Sequence, residues 1–225
     1  MRRGEPCPVE AALVCEAAGA HGITAHLRED RRHIQDADMK ALRKAVTTRL
    51  NFEMANTSAI VRFALRLKPD IVCIVPEKRE EVTTEGGLNV ADQLRGLKRT
   101  CRRMNDSGIE VSLFIDPEMT QVEASAKSGA KFIELHTGAY AEQFDNARRR
   151  QRELSRLIAA STHAHAMGLR VNAGHGLNYE NLTDLHAVPH MEELNIGHSI
   201  VSHAISVGLT KAVKEILRLM KGYHG

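Results

Sequence analysis

Ile71-Val72-Cys73-Ile74-Val75 is an uninterrupted apolar run, bounded by Asp70 and Pro76. A strand that is apolar on both faces is typical of a parallel sheet covered by helices, because both faces must be buried. Other short apolar runs predict further strands over residues 22–27, 50–55, 110–116, 131–138, 169–176 and 193–199. The sequence therefore predicts an α/β protein with seven parallel strands.

Helical periodicity separates nearly all of these strands. Predicted helices cover residues 8–18, 36–48, 57–67, 90–107, 118–128 and 209–222, and residues 141–167 leave room for an extra helix before the regular one. Strand, loop and helix repeated in this way is the layout of a (β/α)₈ TIM barrel. The 225 residues suit one such domain over 1–225, although the strand count is one short of eight.

Composition excludes several classes of function. The chain is 43% hydrophobic and 26% charged, and its net charge of +3 is too weak to indicate nucleic-acid binding. The four cysteines form no Cys-x-x-Cys pair, so we expect reduced thiols in a cytoplasmic protein. We also expect no membrane span and no signal peptide, because neither a run of about 20 apolar residues nor an apolar leader is present.

Reactive side chains occur at or near the carboxyl ends of the predicted strands. The carboxyl ends of parallel strands meet at one face of a barrel, and the active site lies there. The residues concerned are His26, Glu53, Glu134, His136, His175 and His198.

Glu53 is the clearest acid–base candidate among them. It lies among apolar neighbours, which should raise the pKa of its carboxyl group and suit it to proton transfer. The alternative is a structural glutamate that pairs with an internal Arg or Lys. Glu134 and His136 share a strand face, and for them a structural carboxylate–imidazole pair is the corresponding alternative.

The segment from His26 to His33 combines imidazoles with Arg28. A histidine that titrates near neutrality beside a fixed cation suits an anionic substrate, although a solvated loop would have the same composition.

Two glycine-containing strand ends predict a phosphate site. Gly176 follows one strand and Gly197-His198 ends the next, and loops at the seventh and eighth strands commonly bind phosphate in this fold. The alternative is that the glycines only permit tight turns. The histidine spacings match no metal-binding pattern, so we expect no metal.

Several segments together resemble the pyridoxine 5′-phosphate synthase family, from about residue 3 to the C-terminus. They include His26-Leu-Arg-Glu-Asp-Arg-Arg-His33, Asn51-Phe-Glu-Met-Ala55, Glu134-Leu-His-Thr-Gly138, Val171-Asn-Ala-Gly-His-Gly176 and Leu194-Asn-Ile-Gly-His198. The resemblance implies a TIM barrel with extra helices, assembled as a homo-octamer. It implies a condensation of 1-deoxy-D-xylulose 5-phosphate with 3-amino-2-oxopropyl phosphate that closes the pyridine ring in vitamin B6 biosynthesis. Inorganic phosphate and water leave, and the family uses no metal or organic cofactor.

The resemblance also implies roles for individual residues. His26 corresponds to a proton acceptor, Glu53 to a second acid–base group and His175 to the proton donor. The family residues that contact the deoxyxylulose phosphate correspond to Arg28, His33 and Thr83 of this chain. Those that contact the aminoketone phosphate correspond to Arg3, Gly176, Gly197 and His198.

The resemblance departs from the family pattern at the start of the chain. Family members begin with a strand carrying an Asn-x-Asp-His segment, and this chain begins after it, so we expect the first strand to be missing and the barrel to be unclosed. One alternative function is therefore a truncated, non-catalytic phosphate-binding or oligomer-partner protein of the same fold. Another is a different sugar-phosphate isomerase or aldolase, which is disfavoured because Lys78 lies in a loop and the strand ends offer no Schiff-base lysine.

Overall fold

The computed structural model describes residues 6–77 and 86–223. In this part of the chain, one parallel sheet contains seven strands in chain order. They are β1 (Gly22–His26), β2 (Arg49–Met54), β3 (Ile71–Ile74), β4 (Glu110–Ile115), β5 (Phe132–His136), β6 (Arg170–Gly174) and β7 (Met191–Asn195).

Helices follow every strand of the sheet except β6, which is followed by a 3₁₀ helix over Thr183–Ala187. The α-helices of the described ranges are α1 (Pro8–Ala18), α2 (Asp36–Ala45), α3 (Ser58–Leu67), α4 (Val90–Asn105), α5 (Met119–Ser128), α6 (Gly138–Glu142), α7 (Ala147–Ala166), α8 (His198–Val207) and α9 (Leu209–Met220). No helix within these ranges has both the length and the apolar character needed to cross a membrane.

The predicted burial of the central strands is confirmed. All four residues of β3 are buried, as expected for a strand with one face toward the helices and the other toward the inside of the curled sheet. The helix α4 buries Val90, Leu97, Cys101 and Met104 along one face, and the Asn89 side chain caps it by accepting the Asp92 N–H. The α/β barrel-type fold predicted from the sequence is therefore confirmed.

The last predicted strand is wrong at its carboxyl end. Instead of running over 193–199, β7 ends at Asn195, and His198 is the first residue of α8. Gly197 interrupts the apolar run and precedes the helix, and the Ser199 hydroxyl donates to the Leu177 carbonyl at 2.7 Å. This bond ties the start of α8 to the loop after β6.

The sheet is curled, so that its first and last strands meet through side chains. The Thr24 hydroxyl of β1 donates to Asn195 Oδ1 of β7 at 2.7 Å, although the two strands lie at opposite ends of the strand order. The curled sheet turns one set of side chains inward, as in a TIM barrel. The expectation that a first strand is missing before β1 stays a prediction.

Candidate active site

His26 and Glu53 lie together at the carboxyl ends of β1 and β2. Parallel pairing sets the two residues side by side in register, and His26 Nδ1 lies 3.9 Å from Glu53 Oε2. On the other side of the ring, His26 Nε2 lies 3.9 Å from Glu77 Oε1 and has no hydrogen-bond partner among the described residues. The imidazole is therefore placed between two carboxylates with an unsatisfied nitrogen.

Burial shifts the pKa values of Glu53 and His26 in opposite directions. It raises the pKa of Glu53 to about 7, because the ionised carboxylate loses solvation. Burial, aided by the Arg28 charge, lowers the pKa of His26 to about 4. At neutral pH the imidazole is consequently neutral and can accept a proton, while the carboxyl group can hold one.

Glu77 fixes the loop that follows β1. Its side chain is only 4% exposed, and it accepts the Glu29 N–H at 3.0 Å while lying 3.5 Å from Arg28 Nε. Arg28 is buried as well, whereas Glu29, Asp30 and Arg32 are exposed, so only the start of the loop differs from the solvated segment that its composition allowed. His33, by contrast, is exposed at the rim of the site.

Glu134 is buried inside the curled sheet. Asn195 Nδ2 donates to Glu134 Oε2 at 2.7 Å, and the Cys73 thiol lies 3.5 Å from the same oxygen. Burial, with the nearby charge of Glu53 as a second cause, raises the pKa of Glu134. Glu134 is therefore fully buried, whereas the Glu53 side chain, near the carboxyl end of β2, remains 25% exposed.

His136 does not pair with Glu134, although the two share a strand face. His136 Nδ1 instead lies 3.0 Å from Asp116 Oδ1, which follows the end of β4. This hydrogen bond lowers the pKa of Asp116. The His136 ring also meets the His175 ring edge-on, with 5.0 Å between the ring centroids.

His175 lies directly after β6 with a left-handed backbone, at φ 82°. This conformation is unfavourable for a residue with a Cβ atom, and such strain is concentrated at functional sites. The Thr137 hydroxyl donates to the His175 carbonyl at 2.6 Å and holds the backbone in place. Burial lowers the pKa of His175, so the ring is easily deprotonated.

The predicted glycine sites lie in two loops that are joined to each other. Gly176 has a left-handed φ of 78°, and a Cβ there would come 2.7 Å from the Ala141 side chain, so this position requires glycine. Gly197 has an ordinary negative φ and open space around it. It precedes His198 and the free N–H groups of α8, and both residues are exposed.

Arg3 and Thr83, which the sequence also suggested, lie outside the described residues. Sequence reasoning missed Glu77 and Asp116 as site residues, although both lie just past the end of a strand. The rule that singled out Glu53 would have included them, had it been extended one to three residues beyond each strand.

These features define a class of protein: an enzyme of the parallel α/β barrel type whose acid–base groups converge at the carboxyl ends of the strands. Residues 1–222 match the family model described as "Pyridoxal phosphate biosynthesis protein PdxJ". The chain belongs to this family.

Individual relatives agree with the family model. The chain is 57% identical to a "Pyridoxine 5'-phosphate synthase" of Synechococcus sp., over 97% of this chain and 91% of that protein. It is 56% identical to the protein of the same name from Crocosphaera subtropica, over 98% and 92% of the two chains. Among solved structures, 3-keto-L-gulonate-6-phosphate decarboxylase from Vibrio cholerae has the same fold, with a TM-score of 0.70 at 12% identity over 96% and 92% of the chains.

Proposed function

We propose that this protein condenses 1-deoxy-D-xylulose 5-phosphate with 3-amino-2-oxopropyl phosphate to form pyridoxine 5′-phosphate. Family membership supports this reaction, and the observation that carries it is the His26–Glu53 pair. Closing a ring with loss of water and phosphate requires protons to be removed from carbon and nitrogen and delivered to leaving oxygens. A neutral imidazole next to a carboxyl group that titrates near pH 7 can do both.

The proposed roles follow from position. His26 accepts a proton, Glu53 exchanges one with the same substrate, and His175 delivers a proton from across the site. Each of the three lies at or just past the carboxyl end of a different strand, so a substrate at this face can contact all of them.

The two substrates need two phosphate sites. Arg28, together with His33 at the rim, is the proposed contact for the deoxyxylulose phosphate, since a buried guanidinium is a fixed charge for an anion. Gly176, Gly197 and His198 are proposed to hold the aminoketone phosphate with backbone N–H groups of the loop after β6 and of the start of α8. Arg3 and Thr83 are proposed as further contacts to the two substrates.

The function is tested by incubating the purified protein with both substrates and measuring pyridoxine 5′-phosphate and inorganic phosphate together. We expect equal amounts of the two products, and none when either substrate is omitted. A folded protein that forms neither product would favour a non-catalytic phosphate-binding role instead. The homo-octamer and the cytoplasmic location belong to the same proposal, and light scattering tests the first.

The aminoketone phosphate site has a separate test. Inorganic phosphate should raise the melting temperature, because a ligand that binds only the folded state stabilises it. Gly197→Val should abolish this rise while the protein remains folded, since a Cβ at this position meets no atom within 4 Å. A rise that persists in the variant would place the anion elsewhere.

A further inference from the structure

Asp116 and His136 form a hydrogen-bonded pair to which the proposed reaction assigns no role. Asp116 follows β4 and His136 ends β5, and the atoms Oδ1 and Nδ1 are 3.0 Å apart. Since the pKa of Asp116 is lowered, its carboxylate accepts the hydrogen bond and Nδ1 of His136 carries the proton.

Nε2 of His136 lies on the side of the ring that is nearest to Gly138 and His175. Nε2 of His136 is buried and has no hydrogen-bond partner among the described residues. The ring meets His175 at an interplanar angle of 64° with 5.0 Å between centroids, and it contacts Phe114 on another side at 5.1 Å. His136 is therefore held by packing and by one carboxylate, and its remaining polar atom faces the site.

Two glycines leave the space that the Asp116, His136 and His175 side chains need. A Cβ on Gly138 would lie 2.5 Å from His136 Nε2 and 3.2 Å from His175 Cδ2, so the two rings can approach only because residue 138 lacks a side chain. A Cβ on Gly87 would lie 2.1 Å from the Asp116 backbone nitrogen, and the Gly87 N–H is a second donor to the Asp116 carboxylate. Asp116 is thus fixed from the chain segment after residue 85 as well as from β5.

We infer that His136, oriented by Asp116, is a positioning residue that sets the ring orientation of His175. The backbone of His175 is fixed separately, because the Thr137 hydroxyl donates to its carbonyl. The inference rests on the proposed function for the role of His175 as proton donor. In enzymes whose catalytic histidine is held by an outer partner, loss of that partner leaves the fold intact and lowers turnover.

The first test compares two substitutions in the whole protein. Asp116→Asn keeps the shape but replaces the carboxylate with a neutral amide, which weakens the hydrogen bond that orients His136. His136→Phe keeps the ring contact and removes both nitrogens. We expect kcat to fall about 10–100-fold in each variant with little change in KM, as for other residues that orient a catalytic group. Asp106→Asn, an exposed carboxylate paired with Arg102, is the matched control and should leave kcat unchanged.

The second test uses nitrogen-15 NMR of the His175 imidazole, which requires no turnover. Burial lowers the pKa of His175, and the positive charge that His136 can carry lowers it further, so His136→Phe should move the titration midpoint of His175 to higher pH. Glu142 from α6 opposes this effect and Arg156 from α7 acts on Asp116, and both remain in every variant.

The outcomes are distinguishable. Normal kcat in both substitutions, or reduced kcat with an unchanged His175 titration and tautomer, overturns the inference. Should Asp116→Asn fail to fold, His136→Phe decides alone. If the unaltered protein forms no pyridoxine 5′-phosphate while His136→Phe still shifts the His175 signals, the proposed function fails and the positioning role of His136 stands.

Discussion

Glutamates on the strands of the sheet differ in whether they lie beside an arginine. At the amino-terminal end, Arg49 Nη2 lies 2.7 Å from Glu110 Oε2, and Arg170 forms a two-pronged pair with Glu192. The Phe132 ring lies against both guanidinium groups, with centroid distances of 5.5 Å and 4.2 Å. Each of these four charged side chains therefore has a partner of opposite charge.

Glu53 lies near the carboxyl end of β2 and Glu134 lies in the middle of β5, and neither has a Lys or Arg within 4 Å among residues 6–77 and 86–223. The pKa of each is raised, and burial is the main cause. Opposite charges in contact stabilise the ionised forms, whereas buried carboxylates without a cation hold their protons near neutral pH. We expect the arginine-paired glutamates at the amino-terminal end to serve stability and the glutamates without a cation to serve chemistry.

The largest effect expected from removing one of these charges is on turnover. Glu53→Gln should lower the rate of pyridoxine 5′-phosphate formation by roughly 10²–10⁴, since the amide cannot exchange a proton. The measurement is steady-state kinetics on protein shown by circular dichroism to be folded. Near-normal turnover in this variant would remove Glu53 from the mechanism.

Glu53→Gln should also increase the stability of the protein, and the size of this increase should depend on pH. The pKa of Glu53 is about 7 in the folded protein against an ordinary value of 4.5, so the protonated form is favoured on folding. The stabilisation is present below about pH 4.5 and is lost as pH rises through about 7. At pH 8, Glu53→Gln should therefore be more stable than the unaltered protein, by on the order of 1–3 kcal/mol.

Urea denaturation at pH 5 and pH 8 checks this expectation for Glu53. The difference between variant and unaltered protein should be small at pH 5 and should favour the variant at pH 8. A difference that is independent of pH would mean that Glu53 is ionised throughout, and the contrast between the two ends of the sheet would then weaken.

The smallest expected effect lies at the amino-terminal end. Glu110→Gln removes the charge that pairs with Arg49, and because both side chains are about one-third exposed we expect a loss of only about 0.5–1 kcal/mol in the free energy of unfolding. Turnover should be unchanged, which makes this variant the matched control for Glu53→Gln. A large loss of activity in Glu110→Gln would show that the amino-terminal end also contributes to chemistry.

Much of the fold and part of the site could be predicted from the sequence. The apolar run at β3 and the acidic residue near the end of β2 have local causes, since burial on both faces and a carboxylate among apolar neighbours are visible in the order of residues. The position of His198 could not be predicted in this way. A short apolar run does not distinguish a strand from the start of a helix, and the Ser199 contact to Leu177 that anchors α8 spans 22 residues.

The sequence by itself determined the strand order, the helical layers and the set of reactive residues at the carboxyl ends, because periodicity and strand-end position are local properties. Only the tertiary structure decided which of those residues are partners. His136 shares a strand face with Glu134, yet its nitrogen meets Asp116, 20 residues away in the chain. Glu77 lies against Arg28 and His26 for the same reason. Partners of this kind are set by the curl and register of parallel strands, which bring together residues that no local spacing connects.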